Sequence, residues 1–267
     1  MDGEGLPGLL FRILLYGLLR HDSLITMFLK DKMNPSIAFS HKMVSIIVPV
    51  LNESKIINRT AEHLLSASRG CNAEIIIVDG DPDGSSIRDI ELAGIQTMVG
   101  PKGRGHQMNA GARAASGSIF LFVHADTCLP QDAVFAVLNA CRRPGIAGGA
   151  FLLGIDNHRR IYRLIEAWAN LRSRLLAMPY GDQAIFVKKG VFEKIGGYAM
   201  IPIMEDIDIM NRLKRGGYTI SLIKTPVRTS ARRWEAEGPA YTILRNNLLS
   251  TMFCMGLDAS LLKRFYR

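Results

Sequence analysis

Cysteine is scarce in this sequence. Its four cysteines, Cys71, Cys128, Cys141 and Cys254, lie far apart and form no C-x-x-C pair. That spacing excludes a zinc knuckle and a disulfide scaffold, and fits a reducing, cytoplasmic compartment. Aromatic residues are only 7% of the chain, and no stretch interleaves them with basic residues as nucleic-acid modules do. Nucleic acid is therefore not an expected partner. No G-x-G-x-x-G fingerprint and no G-x-x-x-x-G-K-[ST] run occurs, which removes support for ordinary dinucleotide and P-loop chemistry. Internal repeats and low-complexity linkers are missing too, and 25 glycines with 11 prolines exclude collagen-like classes.

What is present is a globular composition, 48% hydrophobic and 21% charged over 267 residues, enough to bury a full core. Lys and Arg outnumber Asp and Glu by 33 to 24, and the net charge of +9 points to an anionic partner such as a phosphorylated small molecule or an acidic membrane surface. The apolar stretch from Leu6 to Phe28 is interrupted by Arg12, Arg20, His21 and Asp22, which argues against a spanning helix. Residues 1–42 read as an N-terminal extension, with two readings open: a poorly ordered segment, or a helix lying in a membrane interface. The main domain is expected over 43–267.

From Val44 the pattern turns regular. Val44 to Leu51 and Glu74 to Asp79 are short, continuously apolar runs of the kind that form buried parallel strands. Asn52-Glu53-Ser54 offers capping chemistry for a first helix. The basic, glycine-rich Gly100 to Gly105 leads into a small-residue helix from Gln107 to Ala115, and a strand follows from Ser118 to His124. The order β-α-β-α-β predicts an α/β fold with a Rossmann-like sheet. Ligands of such sheets bind beyond the carboxyl ends of the strands, where Asn52, Asp79 and Asp126 fall. Residues 43–130 thus form a first half with a ligand-binding edge, and residues 131–267 a second half. In the latter, Asp156 to Met178 predicts a helix with Ile161, Leu164, Ile165, Trp168, Leu171 and Leu175 on one stripe. Its arginines, Arg159, Arg160, Arg163, Arg172 and Arg174, form either a solvated face or a contact for anionic lipid.

Three groups of residues carry candidate chemistry. His124 and Asp126, two apart, share one side of an extended chain, and Asp126 can hold Mg²⁺ or Mn²⁺ with phosphate oxygens completing the shell; a helix cap is the alternative for Asp126. Lys102 and Arg104, set among glycines, can approach a diphosphate closely; a flexible loop is the alternative. Glu205 and Asp206 stand beside Asp208, and crowded carboxylates raise one another's pKa toward the range of a proton acceptor. Acids in a first helical turn also suit the helix dipole.

Taken together, Ile46-Ile-Val-Pro-Val-Leu-Asn-Glu53, Glu74-Ile-Ile-Ile-Val-Asp79, Gly103-Arg-Gly105 with Asn109-Ala-Gly111, His124-Ala-Asp126, Met204-Glu-Asp206 and Arg232-Arg-Trp234 resemble glycosyltransferase family 2, the inverting GT-A enzymes. The His-Ala-Asp-Thr and Ala-Arg-Arg-Trp-Glu versions are similar to a bacterial subgroup of small transferases. The resemblance implies a GT-A fold, a mostly parallel central sheet flanked by helices, with 43–130 as the nucleotide-sugar-binding half and 131–267 as the acceptor-binding half, and transfer of a sugar from a nucleotide-sugar, UDP-linked, to a hydroxyl acceptor. It implies a nucleotide-sugar site made of Pro49, Asn52, Glu53, Asp79, Lys102, Arg104, Asn109, Ala125 and Asp126, with Asp79 accepting a hydrogen bond from a uracil-type ring. Asp126 matches the last acid of the family's D-x-D motif, and His124 replaces the first, so Asp126 with His124 is the implied site for Mn²⁺ or Mg²⁺. Asp206 corresponds to the usual base, with Glu205 beside it. Arg233 and Trp234 match the end of the acceptor-side Q-x-x-R-W motif, with Ser230 at the glutamine position. Two other readings stay open: a sugar-phosphate nucleotidyltransferase, and a basic non-enzymatic protein that binds membranes or nucleic acid. The apolar ends and basic helix also raise peripheral membrane contact at the inner face of the plasma membrane and a lipid-like acceptor.

Overall fold

Strand β1 (Val44–Val50) is buried along its whole length. Its unbroken apolar run requires this, because a parallel strand covered by helices on both faces has no wet side. β2 (Ala73–Asp79) and β4 (Ile119–Phe122) flank it in parallel, and β3 (Ile95–Val99) extends the sheet beyond β2. Helices α1 (Ile57–Ala67) and α2 (Arg104–Ala114) lie in the connections. Register places Val50 opposite Asp79 and Asp79 opposite Val99, so three loops leave the sheet along one edge. This computed structural model describes residues 43–266; the expectations for residues 1–42, an extension or an interfacial helix, lie outside the described residues.

The chain continues through β5 (Thr127–Cys128), α3 (Ala133–Arg142), β6 (Ile146–Asp156), α4 (Arg160–Leu176), a 3₁₀ turn at Gly181–Gln183, β7 (Phe186–Lys188) and α5 (Lys189–Lys194). It ends with α6 (Glu205–Arg215), β8 (Thr219–Ser230), α7 (Arg232–Glu237), α8 (Pro239–Cys254) and α9 (Ala259–Lys263). One eight-stranded sheet, ordered β3-β2-β1-β4-β7-β6-β8-β5, runs through both halves. β7 is antiparallel to both neighbours and β5 to β8; the other pairings are parallel. This is the expected helix-flanked α/β architecture of GT-A type, with antiparallel insertions that strand propensity alone did not announce.

Beneath α2 and α6 the sheet contributes Ile47, Ile76, Val78, Phe120 and Phe122 to one buried cluster, which Ile209, Met210 and Leu213 of α6 join. The acids at the head of α6 are therefore carried on a helix anchored in the core. Gly111 lets α2 lie flush on the sheet, since a Cβ there would stand 2.5 Å from Ile47 Cγ2.

Several expectations need correction. Asn52-Glu53-Ser54 supplies no side-chain cap to α1; the Glu53 carbonyl accepts from the Ile56 and Ile57 amides, and Asn52 takes φ +59°. α2 begins at Arg104, ahead of the expected Gln107, so only Arg104 and Gly105 of the glycine-rich segment are helical and Gly103, at φ +125°, precedes them. α4 turns Tyr162, Ile165, Ala169 and Ser173 to the core, while Leu164, Trp168, Leu171 and Leu175 are exposed. Among the described residues no helix is long and apolar enough to cross a membrane.

Replacing Gly111 by Val should lower unfolding stability by about 2 kcal/mol, because overfilling a close-packed contact forces the helix off the sheet. Gly190→Ala in α5, where an added Cβ meets nothing within 4 Å, should instead be neutral or stabilise by about 0.5 kcal/mol. Denaturant titration checks both; equal loss in the two variants would refute the packing argument.

Candidate functional site

A cavity of about 760 Å³ opens at the edge where the parallel strands end. Pro49 and Glu53 reach it from the end of β1, His124, Ala125 and Asp126 from the end of β4, and Lys102 and Arg104 from the start of α2. Asp206 enters from α6, and Arg233 and Trp234 from α7. Ser230, which stands where the resemblance has glutamine, also lines the wall. Segments far apart in sequence meet here because each follows a strand or begins a helix at the same edge.

Four predicted residues are placed elsewhere. Asp79 is fully buried, and its carboxylate accepts from the Asp81 amide at 3.0 Å and the Ser86 amide at 2.7 Å. It shapes the loop after β2 from beneath, and Ser86 Oγ in turn accepts from the Glu53 amide at 3.2 Å. Asn109 clamps α2 to the Tyr198 backbone, donating to the carbonyl and accepting from the amide, both at 2.8 Å. Asn52 is exposed on the turn after β1 and does not line the cavity. Glu205 is buried and lines a smaller adjoining cavity of about 260 Å³, 3.5 Å from Arg104 Nη1. Of the residues expected around the nucleotide, Asp79 thus holds the loop after β2, Asn109 ties α2 to the Tyr198 backbone, and Asn52 faces solvent.

Charges divide the cavity. Burial and the neighbouring Arg104 and Arg233 push the His124 imidazole down to about 3, so it is neutral and keeps a lone pair. Burial first, and then the Asp206 charge beside it, hold Glu205 above the ordinary carboxylate range, with Arg104 pulling the other way. Asp206 Oδ2 accepts the Gly181 N–H at 2.8 Å, which orients that carboxylate at the wall. Arg232 stands 3.6 Å from Glu53 Oε2 and 3.8 Å from Asp126 Oδ2, an exposed pairing of little energy.

The turn Gly181-Asp182-Gln183 is the functional segment that sequence reasoning passed over. Gln183 locks it: its side chain donates to the Phe151 carbonyl at 2.9 Å and accepts from Ser173 Oγ at 2.9 Å and the Tyr180 amide at 3.2 Å. Gly181 passes over the His124 ring, where a Cβ would sit 2.8 Å from Nε2. Asp182 then joins the cavity wall, its pKa pushed up to about 6 by burial, with Arg172 opposing and Asp206 and Asp126 adding to the rise. The available signal was a polar Gly-Asp-Gln placed directly before an apolar strand. Lys263 and Tyr266, also on the wall, carry no local signal at all.

Among the described residues no group of three or more His, Cys, Asp or Glu converges into a closed metal site. Asp126 and the neutral His124 instead form an open donor pair facing the cavity. Such a pair fits a hard cation that takes its remaining ligands from phosphate oxygens and water.

A family model described as glycosyl transferase family 2 matches residues 45–204. No curated protein matches the sequence with significance. Among solved structures, a mannosyltransferase from Pyrobaculum calidifontis in complex with GDP-Man and Mn²⁺ is similar, with 19% identity and a TM-score of 0.53. The match covers 70% of this chain and 56% of that one, so this chain spans little more than half the mannosyltransferase's length. Glucosyl-3-phosphoglycerate synthase from Mycobacterium tuberculosis, in complex with Mn²⁺, UDP and phosphoglyceric acid, has 18% identity and a TM-score of 0.53, with 70% of each chain covered. At these identities the likeness is one of fold.

Because Asp182 has a raised pKa in the folded state, the native protein holds a proton that the unfolded chain releases near 3.8. Stability from this group is complete below its unfolded value and is lost as pH rises through about 6. In metal-free buffer the melting temperature of the unaltered chain should fall relative to that of Asp182→Asn between pH 5 and pH 7; the comparison cancels the opposite slope from His124 and the like slope from Glu205, which both chains share. A constant difference between the two melts would show that the Asp182 carboxyl does not titrate as described.

Proposed function

The chain belongs to glycosyl transferase family 2, and from that premise we propose that it transfers a sugar from a nucleoside-diphosphate sugar, UDP-linked, to a hydroxyl group with inversion at the anomeric carbon. The observation that carries this reading is the division of one cavity between cations, Lys102, Arg104 and Arg233, and acids, Asp126, Asp182 and Asp206. A diphosphate needs the first set and a hydroxyl nucleophile needs one member of the second. The solved relatives, bound to GDP-Man or UDP with Mn²⁺ or Mg²⁺, support a nucleotide donor and a divalent cation here as well.

In the proposed reaction Lys102, Arg104 and Arg233 offset the charge that gathers on the diphosphate as the bond from the anomeric carbon to the phosphate oxygen breaks and its electron pair leaves with the diphosphate. The acceptor oxygen bonds to the opposite face of that carbon and passes its proton to Asp206. Asp206 suits this task because the Gly181 amide aims its carboxylate and the cavity admits substrate. Glu205, partly protonated at neutral pH and paired with Arg104, holds the guanidinium in place. Asp126 and His124 would hold Mg²⁺ or Mn²⁺, and when bound that ion adds positive charge beside the leaving diphosphate. Trp234, next to Arg233 on the same wall, serves the acceptor side. A reducing, cytoplasmic setting suits four cysteines that lie far apart in the sequence and form no C-x-x-C pair.

Asp206→Asn should lower transfer roughly 100-fold or more while calorimetry still detects donor binding. Retained turnover would remove the base assignment. Asp126→Ala should weaken donor binding only when Mn²⁺ or Mg²⁺ is present. Product analysis decides the reaction class: release of a nucleoside diphosphate supports sugar transfer, and release of pyrophosphate would establish a nucleotidyltransferase instead.

A further inference from the structure

Of the fourteen exposed large apolar side chains among the described residues, all but Val99, Phe135 and Met200 lie on or directly after α4, α8 and α9. On α4, Leu164, Trp168, Leu171 and Leu175 follow one another at helical spacing with exposures of 67%, 54%, 47% and 72%. α8, which packs against α4, buries Thr242, Arg245 and Leu249 and turns Tyr241, Leu244 and Leu248 outward. α9 and the residues after it add Leu261 and Phe265. Each of these helices thus has a core face and a second apolar face turned away from the core. A soluble surface scatters such residues singly, and their concentration on packed neighbours marks a surface that is covered in use.

The charges beside the apolar rows identify the cover. Arg160 and Arg174 are exposed next to the α4 row and make no ion pair among the described residues. Arg163 is held by Glu166 at 3.0 Å and by the Ile155 and Asn157 carbonyls. Lys263 and Arg264 are exposed beside Leu261 and Phe265. The nearby acids are already engaged: Glu166 with Arg163, and Asp258 as the cap of α9. A two-fold pairing of this surface with itself would bring together two patches of net positive charge, because an isologous interface uses the same patch on both copies and this one carries Arg160, Arg174, Lys263 and Arg264 with its acids already engaged. An anionic phospholipid surface answers both components, taking the apolar rows into the acyl boundary and the guanidinium groups to its phosphates.

We propose that the α4–α8–α9 surface docks on an anionic phospholipid membrane. The position of the cavity gives the docking a purpose. Asn246 of α8, Lys263 of α9 and Tyr266 line the cavity while their helices present apolar residues outward. Docking therefore sets the cavity wall beside the headgroup layer, where an acceptor carrying its hydroxyl on a lipid headgroup would be found. The acceptor class rests on the sugar-transfer reading above; the docking itself does not.

Co-sedimentation of the full chain with vesicles tests it, using phosphatidylcholine alone and phosphatidylcholine with phosphatidylglycerol in equal parts. The full chain should sediment with the anionic vesicles and far less with phosphatidylcholine, and added salt should weaken the binding. A Trp168→Ser, Leu171→Ser double variant and an Arg160→Gln, Arg174→Gln double variant should each lower partitioning roughly tenfold, with unchanged thermal melts and unchanged nucleotide-sugar binding. Variants that sediment like the unaltered chain would overturn the proposal and move the contact to residues 1–42 or elsewhere. Absence of vesicle binding, with a dimer in solution that the apolar variant converts to monomer, would overturn it in favour of a second copy. A chain that binds anionic vesicles through these residues but no nucleotide-sugar would uphold docking and defeat the transfer reading alone.

Discussion

Parallel pairing of β1 with β2 and β4 is the constraint from which the site follows. In a parallel sheet every strand ends at the same edge, so the residues just beyond each strand are neighbours however far apart they lie in sequence. Val50, Asp79 and Val99 stand in one row, and the cavity opens beyond it. The edge itself is fastened from within. Gln107 donates to the Val50 carbonyl at 2.7 Å and to the Val78 carbonyl at 2.8 Å, tying the ends of two strands with one buried side chain. Asp79 does the same for the loop that follows β2 by accepting two backbone amides.

On this edge the second half of the chain places the opposing charges. α6 is held by Ile207, Ile209, Met210 and Leu213, all buried, and so presents Glu205 and Asp206 with little freedom. Met204, at φ +68°, turns the chain into that helix. The Gly181 turn lies between His124 and Asp206, in contact distance of the first and hydrogen-bonded to the second. Cations and acids are thus held on separate rigid elements, which keeps them from neutralising one another and leaves both sets available to a substrate. The ion pairs at the site are long ones, Arg104 with Glu205 at 3.5 Å and Arg232 with Glu53 and Asp126 at 3.6 and 3.8 Å.

The corrections share a cause. Hydrophobic periodicity identifies a face of a helix but not what covers it. On α4 the larger apolar residues, Leu164, Trp168 and Leu175, face outward, while the smaller Ala169 and Ser173 share the buried face with Tyr162 and Ile165. Small residues at that contact let the helix lie close to β6 and the Gly181 turn, where Ser173 donates to Gln183. Likewise, a polar residue in a motif can serve the substrate or the backbone. Asn109 and Asp79 serve the backbone here because unpaired amides and carbonyls lay within reach in the interior, where leaving them unbonded is costly.

The sequence by itself determined the parallel α/β core, because continuous apolar runs and helical spacing are local properties that burial rewards directly. It also marked segments that meet at the cavity, since Asp126, Arg104, Asp206 and Arg233 follow recognisable local patterns and all line it. Tertiary structure decided what no window of residues contains: that Asp182, Lys263 and Tyr266 share the cavity with those residues, that Asp79 and Asn109 turn inward to backbone amides and carbonyls, and that the apolar rows of α4 and α8 face away from the core. The reason is that strand order, helix rotation and the pairing of buried polar atoms are set by the whole assembly of contacts, in which each side chain competes with every other for a place in the interior.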